Sequence, residues 1–367
     1  MKLFVMVILV TGTALAEVRP LMQEFYVLTN KLHPYLTNKT DFMDEKNEKA
    51  ISTVLTGFVE NTKILKKDKM AQNDDMKFRA QLLAEGLDEA EKSFKTGFKD
   101  YSFWALKASL NNCFSCHTQK SLVGTNYNFD KNSKHNTYQK AEFFFIVRNY
   151  EKSIPLFEEI LIHYPKNKVS VEDLESSAQK LLFYSVRVLR DDLKTIKAFE
   201  KILKNQNLPS SLRNDFLAWK KYLNIKKYRI EDEVKISNAK DLEIFMAARE
   251  QIAEQYTYMN QRAIVDLDTT YFLYQLLEKS TDQDLKPSTL YWLASIEEKY
   301  RLDMFDVAAE NYLRECIEKY SINKVAKKCF SLYKEIKIAS FTGSRGTDMP
   351  KSVTDQLKKY ETLVNKK

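Results

Sequence analysis

Scarcity of glycine is the feature that most restricts how this 367-residue chain can fold. The chain has 7 Gly and 7 Pro, and no glycine lies between Gly124 and Gly343. Strand-rich folds need glycine in their tight turns, whereas helices joined by polar loops do not. The sequence therefore predicts an all-α protein, and its 44% hydrophobic content is sufficient for the cores of two or three domains.

The N-terminus has the pattern of a secretory signal peptide. Residues 1–16, MKLFVMVILVTGTALA, contain one lysine, then an apolar run, then a small-x-small ending. We expect cleavage before Glu17 and export to the periplasm. No later stretch reaches about 18 uninterrupted apolar residues, so the mature chain is not expected to span a membrane.

A C-x-x-C-H motif, CFSCH at 113–117, is the strongest chemical signal in the chain. Such a cysteine pair serves zinc sites, redox dithiols and covalent haem attachment. A zinc site needs further ligands at matching spacing, but the other two cysteines lie some two hundred residues away. A thioredoxin-like dithiol needs a βαβ setting, which this sequence lacks. The motif therefore predicts one covalent haem c, with thioether bonds to Cys113 and Cys116 and with His117 as the proximal iron ligand.

Four amphipathic segments of similar length make up the region 17–120. They cover about 18–36, 44–67, 75–96 and a stretch from about 100 into the motif. The third segment is expected to end at Gly97, the residue type that commonly follows the last turn of a helix. Similar helices with short connections favour an up-down-up-down four-helix bundle, in which cofactors lie between facing helices. This region resembles the class II c-type cytochromes, the cytochrome c-prime group, whose haem motif also lies near the end of the fourth helix.

Met22 is the predicted sixth ligand of the iron. In this bundle the fourth helix runs antiparallel to the first, so His117 lies beside the N-terminal end of the first helix. His33 is further along by 11 residues, about 16 Å, and we expect it at the surface where the helix ends. The resemblance implies the same choice, because relatives with two axial ligands use a methionine early in helix one. Other relatives leave the sixth position empty and bind small gases, and Met22 as an ordinary core methionine also remains open.

A second region, 137–340, matches the tetratricopeptide repeat after a linker or haem-covering loop at 121–136. The small, aromatic and proline positions of the pattern fall on Ala141, Phe144, Ser153, Phe157, Ile160 and Pro165, with weaker copies at Thr195, Phe199 and Ile202 and at Trp292, Ala308, Tyr312 and Tyr320. Further amphipathic helices are expected at 212–228, 240–257 and 262–279. We therefore expect an irregular tetratricopeptide-like α-solenoid. Such solenoids commonly bind proteins, so a protein partner is expected, and a purely architectural role is the alternative.

Cys316 and Cys329 lie on either side of a tight turn between two predicted helices, the first ending near Tyr320 and the second beginning near Asn323. Across such a helix pair the cysteines lie at matching heights, and an oxidising compartment favours a disulfide between them. The final region, 341–367, is predicted to hold a loop and a short helix. Its loop, Gly343 to Pro350, lacks the spacing of a phosphate-binding loop, and the sequence assigns it no role.

Together these patterns favour a periplasmic monohaem c-type cytochrome that transfers or senses electrons within a protein complex. A five-coordinate gas-binding haem protein and a scaffold whose helices are joined by haem are the alternatives. An enzyme is not expected, because no set of acids and bases accompanies the motif. The net charge of +8 does not indicate nucleic acid as a partner, because the chain is expected to be exported. The basic clusters at 63–69 and 220–229 are interpreted as solvated helix faces, with an acidic protein partner or a membrane surface as the alternative.

Overall fold

The computed structural model of the chain is all-α, which confirms the predicted fold class. It describes residues 13–36, 39–67, 74–118, 135–226, 236–280, 282–299, 308–343 and 346–366, and its account of side chains omits 13–19, 74–79, 108, 111–118 and 308. Within these ranges there are sixteen α-helices, and the only strands are two of two residues each. The chain divides into two compact units, 1–120 and 121–367. Most of the predicted signal peptide, 1–12, lies outside the described residues.

Five α-helices and one 3₁₀ turn make up the described part of the first unit. They are α1 (Thr13–Leu36), α2 (Lys39–Met43), the 3₁₀ turn (Glu45–Asn47), α3 (Glu48–Leu65), α4 (Asp74–Lys95) and α5 (Lys99–Thr118). The Asp44 carboxylate accepts a hydrogen bond from the Lys46 backbone N–H at 3.0 Å and so caps the 3₁₀ turn. Gly97 has a φ of +86°, the left-handed conformation in which glycine commonly ends a helix.

One hydrophobic core joins the four long helices of this unit. Phe25 of α1 and Phe58 of α3 have ring centroids 6.0 Å apart. The short helix α2, which the sequence did not predict, inserts Phe42 at one end of the core, 5.2 Å from Phe103 of α5. Aromatic packing therefore closes the end of the unit at which α1 finishes and α5 starts.

Helices α4 and α5 cross closely because one position on α4 has no side chain. A Cβ atom added to Gly86 would lie 2.3 Å from the hydroxyl oxygen of Ser109. At the same interface the Ser102 hydroxyl donates to the Ala90 carbonyl oxygen at 2.6 Å. Gly86 therefore allows two helices to approach closely and is not part of a turn.

Ion pairs fix the direction of α5. The ammonium of Lys99 lies 2.7 Å from the carboxylate of Glu48, the first residue of α3, and Asp100 pairs with Lys39 at the start of α2. Because α2 follows directly after the end of α1, the start of α5 lies at the end of the unit where α1 finishes. The C-terminal end of α5 therefore lies towards the end where α1 begins.

The second unit contains the remaining helices. They are α6 (Thr137–Ile146), α7 (Tyr150–His163), α8 (Val171–Phe183), a π-helix (Tyr184–Leu189), α9 (Asp192–Leu203), α10 (Ser210–Lys226), α11 (Ala239–Ala253), α12 (Met259–Lys279), α13 (Leu285–Lys299), α14 (Ala308–Lys319), α15 (Lys324–Ser340) and α16 (Lys351–Asn365). Neighbours in sequence pack against each other in most cases, for example α6 on α7 and α14 on α15. None of the described helices is long and apolar enough to cross a membrane.

A disulfide joins α14 to α15. The Cα atoms of Cys316 and Cys329 are 6.3 Å apart, and both side chains are fully buried in the core. Between them, the Asn323 side chain caps α15 by accepting from the Val325 backbone N–H at 2.9 Å. After α15 comes a two-stranded antiparallel hairpin, β1 (Thr342–Gly343) with β2 (Gly346–Thr347), at the start of the predicted loop.

Candidate functional site

The C-x-x-C-H motif lies in the last turns of α5. The helix continues through it to Thr118, so Cys113, Cys116 and His117 take positions i, i+3 and i+4 of one helix. Residues at this spacing share a helix face. Their side chains lie outside the described residues, so their roles as haem ligands stay predictions.

The buried stripe of α5 leads into this motif. Phe103, Leu106 and Leu110 are buried in the core of the first unit. Steps of three and four residues from Leu110 reach 113 and 117, so the motif continues the face that packs on the core. A haem joined to this face would meet apolar side chains, and the residues present therefore suit the group.

Met22 lies at the same level of the unit as the motif. It is half-buried and packs against the core beside the buried side chains of Leu21 and Phe25. At about 1.5 Å per residue, Met22 is about 21 Å from the C-terminal end of α1. Residue 113 is about 21 Å from the start of α5, and the two helices run in opposite directions.

His33 is buried, with 1% of its surface exposed, so the expectation of a surface histidine was wrong. The reason is that α1 continues through Pro34 to Leu36, and α2 then packs on the same core. His33 lies in the last turn of α1, at the end of the unit where α5 starts. The structure therefore does not bring it together with residues 113–117.

Comparisons with known proteins found no match for this chain. No family model matches it, and neither does any curated protein or any solved structure. Among the described residues there is also no group of three or more His, Cys, Asp or Glu side chains able to hold a metal ion.

Most of the tetratricopeptide positions are packing residues in the structure, whereas the terminating Pro165 is exposed. The buried hydroxyl of Ser153 donates to the Ala141 carbonyl oxygen at 2.7 Å, which joins α7 to α6. Phe157 and Ile160 on the same helix are fully buried. In the later copies, Thr195, Phe199, Ile202 and Tyr312 are buried, Trp292 and Tyr320 are half-buried, and the side chain of Ala308 lies outside the described residues. These positions hold helices together, so they do not identify a partner-binding surface.

Sequence reasoning missed a buried charged centre in the second unit. The Asp268 carboxylate of α12 is fully buried and accepts hydrogen bonds from Arg190 Nη1 at 2.7 Å and Lys226 Nζ at 2.8 Å. It also accepts from the Tyr222 hydroxyl at 2.7 Å and from Arg249 Nη2 at 3.1 Å. The sequence holds a partial signal, the polar run DLDTT with two aspartates inside α12. The structure buries all five of these residues.

The pKa of Asp268 depends on the burial of its carboxylate and on the cations around it. Burial acts to raise the pKa of Asp268, but the Lys226 ammonium and the Arg249 guanidinium, followed by Arg190, lower it to about 2. The carboxylate is therefore ionised at neutral pH. Three cationic side chains thus surround one buried anion.

A second buried ion pair lies beside this centre. Arg187 Nη2 is 2.6 Å from Glu297 Oε1, and both side chains are 8% exposed. The Tyr274 hydroxyl donates to the same carboxylate oxygen at 3.1 Å. Burial, together with Glu297, raises the pKa of Tyr274 well above its ordinary value, so the phenol keeps its proton. Arg187 Nε also donates to Thr270 Oγ1 at 2.9 Å, which links this pair to α12.

Proposed function

We propose that the chain is a periplasmic monohaem c-type cytochrome that transfers or senses electrons, with helical repeats that bind its partner protein. The observation that carries the proposal is the buried stripe of Phe103, Leu106 and Leu110 on α5, which leads at helical spacing into residues 113 and 117. C-x-x-C-H is the attachment sequence of covalent c-type haem, and the apolar stripe that leads into it would offer the porphyrin apolar contacts.

Each residue of the site has a distinct role in this proposal. Cys113 and Cys116 would hold the porphyrin through thioethers, and His117 would bind the iron. A bound haem c would supply one-electron Fe(II)/Fe(III) chemistry. Met22 would supply a thioether as the second protein ligand of the iron, which would raise the reduction potential and exclude small ligands.

The proposal extends to the arrangement of both units. We assign α1, α3, α4 and α5 to an up-down-up-down bundle like that of the class II c-type cytochromes, supported by the shared core and the direction of α5. We assign the second unit to a tetratricopeptide-like solenoid, supported by the packing of α6 on α7 through Ser153 and Phe157.

Intact mass and absorption spectra of the exported protein test the haem. After periplasmic maturation, the mass should equal that of chain 17–367 plus one haem, and the spectrum should be low-spin and six-coordinate. Met22→Ala should convert this spectrum to a high-spin form that binds carbon monoxide. Met43→Ala is the matched control, because Met43 is an exposed methionine in α2, at the other end of the unit.

Three results would count against parts of the proposal. A mass without haem would refute the haem site as a whole. A high-spin spectrum that is the same with and without Met22 would favour gas binding over electron transfer. A low-spin spectrum unchanged in Met22→Ala would show that another residue completes the coordination.

A further inference from the structure

Ile322 is the most exposed large apolar side chain among the described residues. It lies in the turn between α14 and α15 and is 92% exposed, whereas the next value, for Phe98, is 69%. Single exposed apolar side chains are common on protein surfaces and by themselves indicate nothing. Ile322 differs from these in its position, because a side chain this exposed has almost no protein surface beside it. It protrudes from the end of a helix pair.

The turn that carries Ile322 is held in one conformation. The disulfide between Cys316 and Cys329 joins the two helices on either side of it. Within the turn, the Asn323 backbone N–H donates to the Tyr320 carbonyl oxygen at 2.8 Å, and the Asn323 side chain caps α15. A partner would therefore contact Ile322 without an entropic cost for ordering the turn.

Three lysines follow Ile322 at the start of α15. Lys327 and Lys328 come three and four residues after Lys324, so the three side chains share one face of the helix. All three are exposed, and none of the described carboxylates forms an ion pair with them. The turn thus presents one apolar side chain with a group of cations beside it.

Two carboxylates lie at the same end of the unit, in the loop before α13. Asp284 accepts a hydrogen bond from Asn323 Nδ2 at 2.7 Å. Asp282 accepts from the backbone N–H groups of Asp284 and Leu285, at 2.7 and 2.8 Å. Both carboxylates therefore fix the loop on the α13 side of the turn, whereas the lysines lie on α15.

The lysine face of α15 is the face turned away from the core. Helix α15 packs on α13, α14 and α16 through its other face, which includes Cys329 and Phe330. Residues 300–307, outside the described part of the chain, join the other ends of α13 and α14, and residues 227–235 lead into α11, which packs on α12 and α13. The described elements therefore leave this face open to a partner.

An anionic lipid surface fits this turn better than a protein does. A stable protein interface needs about 800 Å² on each partner and is depleted of lysine, whereas a protruding turn offers a small contact rich in lysine. A bilayer admits an apolar side chain at its surface and attracts lysines to its headgroups. Interfacial segments enter by about 5–10 Å, and Lys328 lies about 9 Å from Ile322 at about 1.5 Å per residue. The lysines would then be at the level of the lipid phosphates.

We propose that the α14–α15 turn docks on an anionic phospholipid surface. Ile322 enters the boundary between headgroups and acyl chains, and Lys324, Lys327 and Lys328 contact lipid phosphates. Such docking is peripheral and needs no helix that crosses the membrane. The surface belongs to the second unit and does not rest on the haem, so its test is separate from that of the proposed electron transfer.

Flotation with large unilamellar vesicles tests the docking on the full exported protein. We expect binding to vesicles of equal parts phosphatidylglycerol and phosphatidylcholine, little binding to phosphatidylcholine alone, and release by salt. Ile322→Ser should weaken the binding by about tenfold or more, because one isoleucine is no longer buried. Lys328→Gln should weaken it by about fivefold, the contribution of one lysine at a charged surface. Circular dichroism and the melting temperature establish that each variant is folded.

Ile338→Ser and Lys351→Gln are the matched controls. Ile338 is an exposed isoleucine near the other end of α15, and Lys351 is an exposed lysine at the start of α16. Neither substitution should change vesicle binding. Equal weakening by the controls and by the turn variants would overturn the proposal, because it would show attraction by net charge or a general loss of structure.

Three further results would also overturn it. The first is absence of binding of the wild-type chain to the anionic vesicles. The second is equal binding to both kinds of vesicle, which would remove the role of the lysines. The third is binding to soluble polyglutamate without binding to vesicles, which would assign the turn to an acidic protein instead of a lipid surface.

Discussion

At the scale of single residues, Asp215 of α10 is a buried carboxyl group, 6% exposed. Burial raises its pKa from 3.8 to about 6, against the hydrogen bond with Asn260 and with a contribution from the negative charge of Glu175. The folded state therefore binds the proton more tightly than the unfolded state. Between about pH 4 and pH 6, stability should fall as pH rises.

We predict that Asp215→Asn raises the free energy of unfolding at pH 7 by about 1–3 kcal/mol, because it removes the cost of a buried charge. At pH 4 the gain should be small, since Asp215 is then largely protonated in the folded state. Urea unfolding at the two pH values measures the difference. Asp355→Asn, on the exposed part of α16, is the control. An equal gain in stability from Asp215→Asn at both pH values would contradict the prediction.

Residue patterns predicted the local features well and the long-range ones poorly. Gly97 ends α4 and Asn323 caps α15, because both effects depend on residues adjacent in sequence. The burial of His33 depends on α2, which follows α1 but whose packing is set by distant aromatic residues. The partners of Asp268 are 19 to 78 residues away, so no local pattern indicates them.

At the scale of elements, α14 and α15 are held by the disulfide across a short turn. Cys316 and Cys329 are 13 residues apart, and both are buried. Closing a loop of this size restricts the unfolded chain and stabilises a protein by about 2–4 kcal/mol. The link also fixes the two helices against a core that includes Tyr333 and Tyr360.

We predict that the double substitution Cys316→Ala with Cys329→Ala lowers the free energy of unfolding by about 2–4 kcal/mol. Thermal unfolding with and without a reductant separates the cross-link from the packing. The reductant should lower the melting temperature of the wild-type chain and leave that of the double variant unchanged. A double variant as stable as the oxidised wild type would contradict this role for the disulfide.

Helix positions in the second unit were predicted closely, whereas the π-helix between α8 and α9 was not predicted. The amphipathic segments 212–228 and 262–279 correspond to Ser210–Lys226 and Met259–Lys279. The π-helix Tyr184–Leu189 has no such signature. Arg187 within it and Arg190 directly after it contact partners on α12 and α13 that are distant in sequence. Hydrophobic spacing records which face is buried but not which charges meet.

At the scale of the whole molecule, the second unit differs from a simple stack of repeats. In a linear solenoid each repeat contacts only its neighbours, and stability is close to a sum of local terms. Here Arg187 pairs with Glu297 across 110 positions of sequence, and Arg190 pairs with Asp268 across 78. These contacts link the π-helix to α12 and α13 directly.

We predict that helices α9 to α13 open together. In hydrogen exchange followed by mass spectrometry at increasing denaturant, their slowest amides should share one opening free energy. Glu297→Gln should lower that value in all of these helices, because it leaves the buried Arg187 without a charged partner. Glu361→Gln on the exposed part of α16 is the control. Separate free energies for α9 and α13 would contradict the prediction.

The buried charges thus have a consequence for how this unit is made. Contacts that span a hundred residues close late, because the intervening chain must first be ordered at an entropic cost. A chain that emerges N-terminus first exposes Arg187 long before Glu297 is available. The second unit should therefore acquire its native stability only when α13 has joined it. For the stability of a truncated chain, the presence of α13 should then matter more than the number of residues removed.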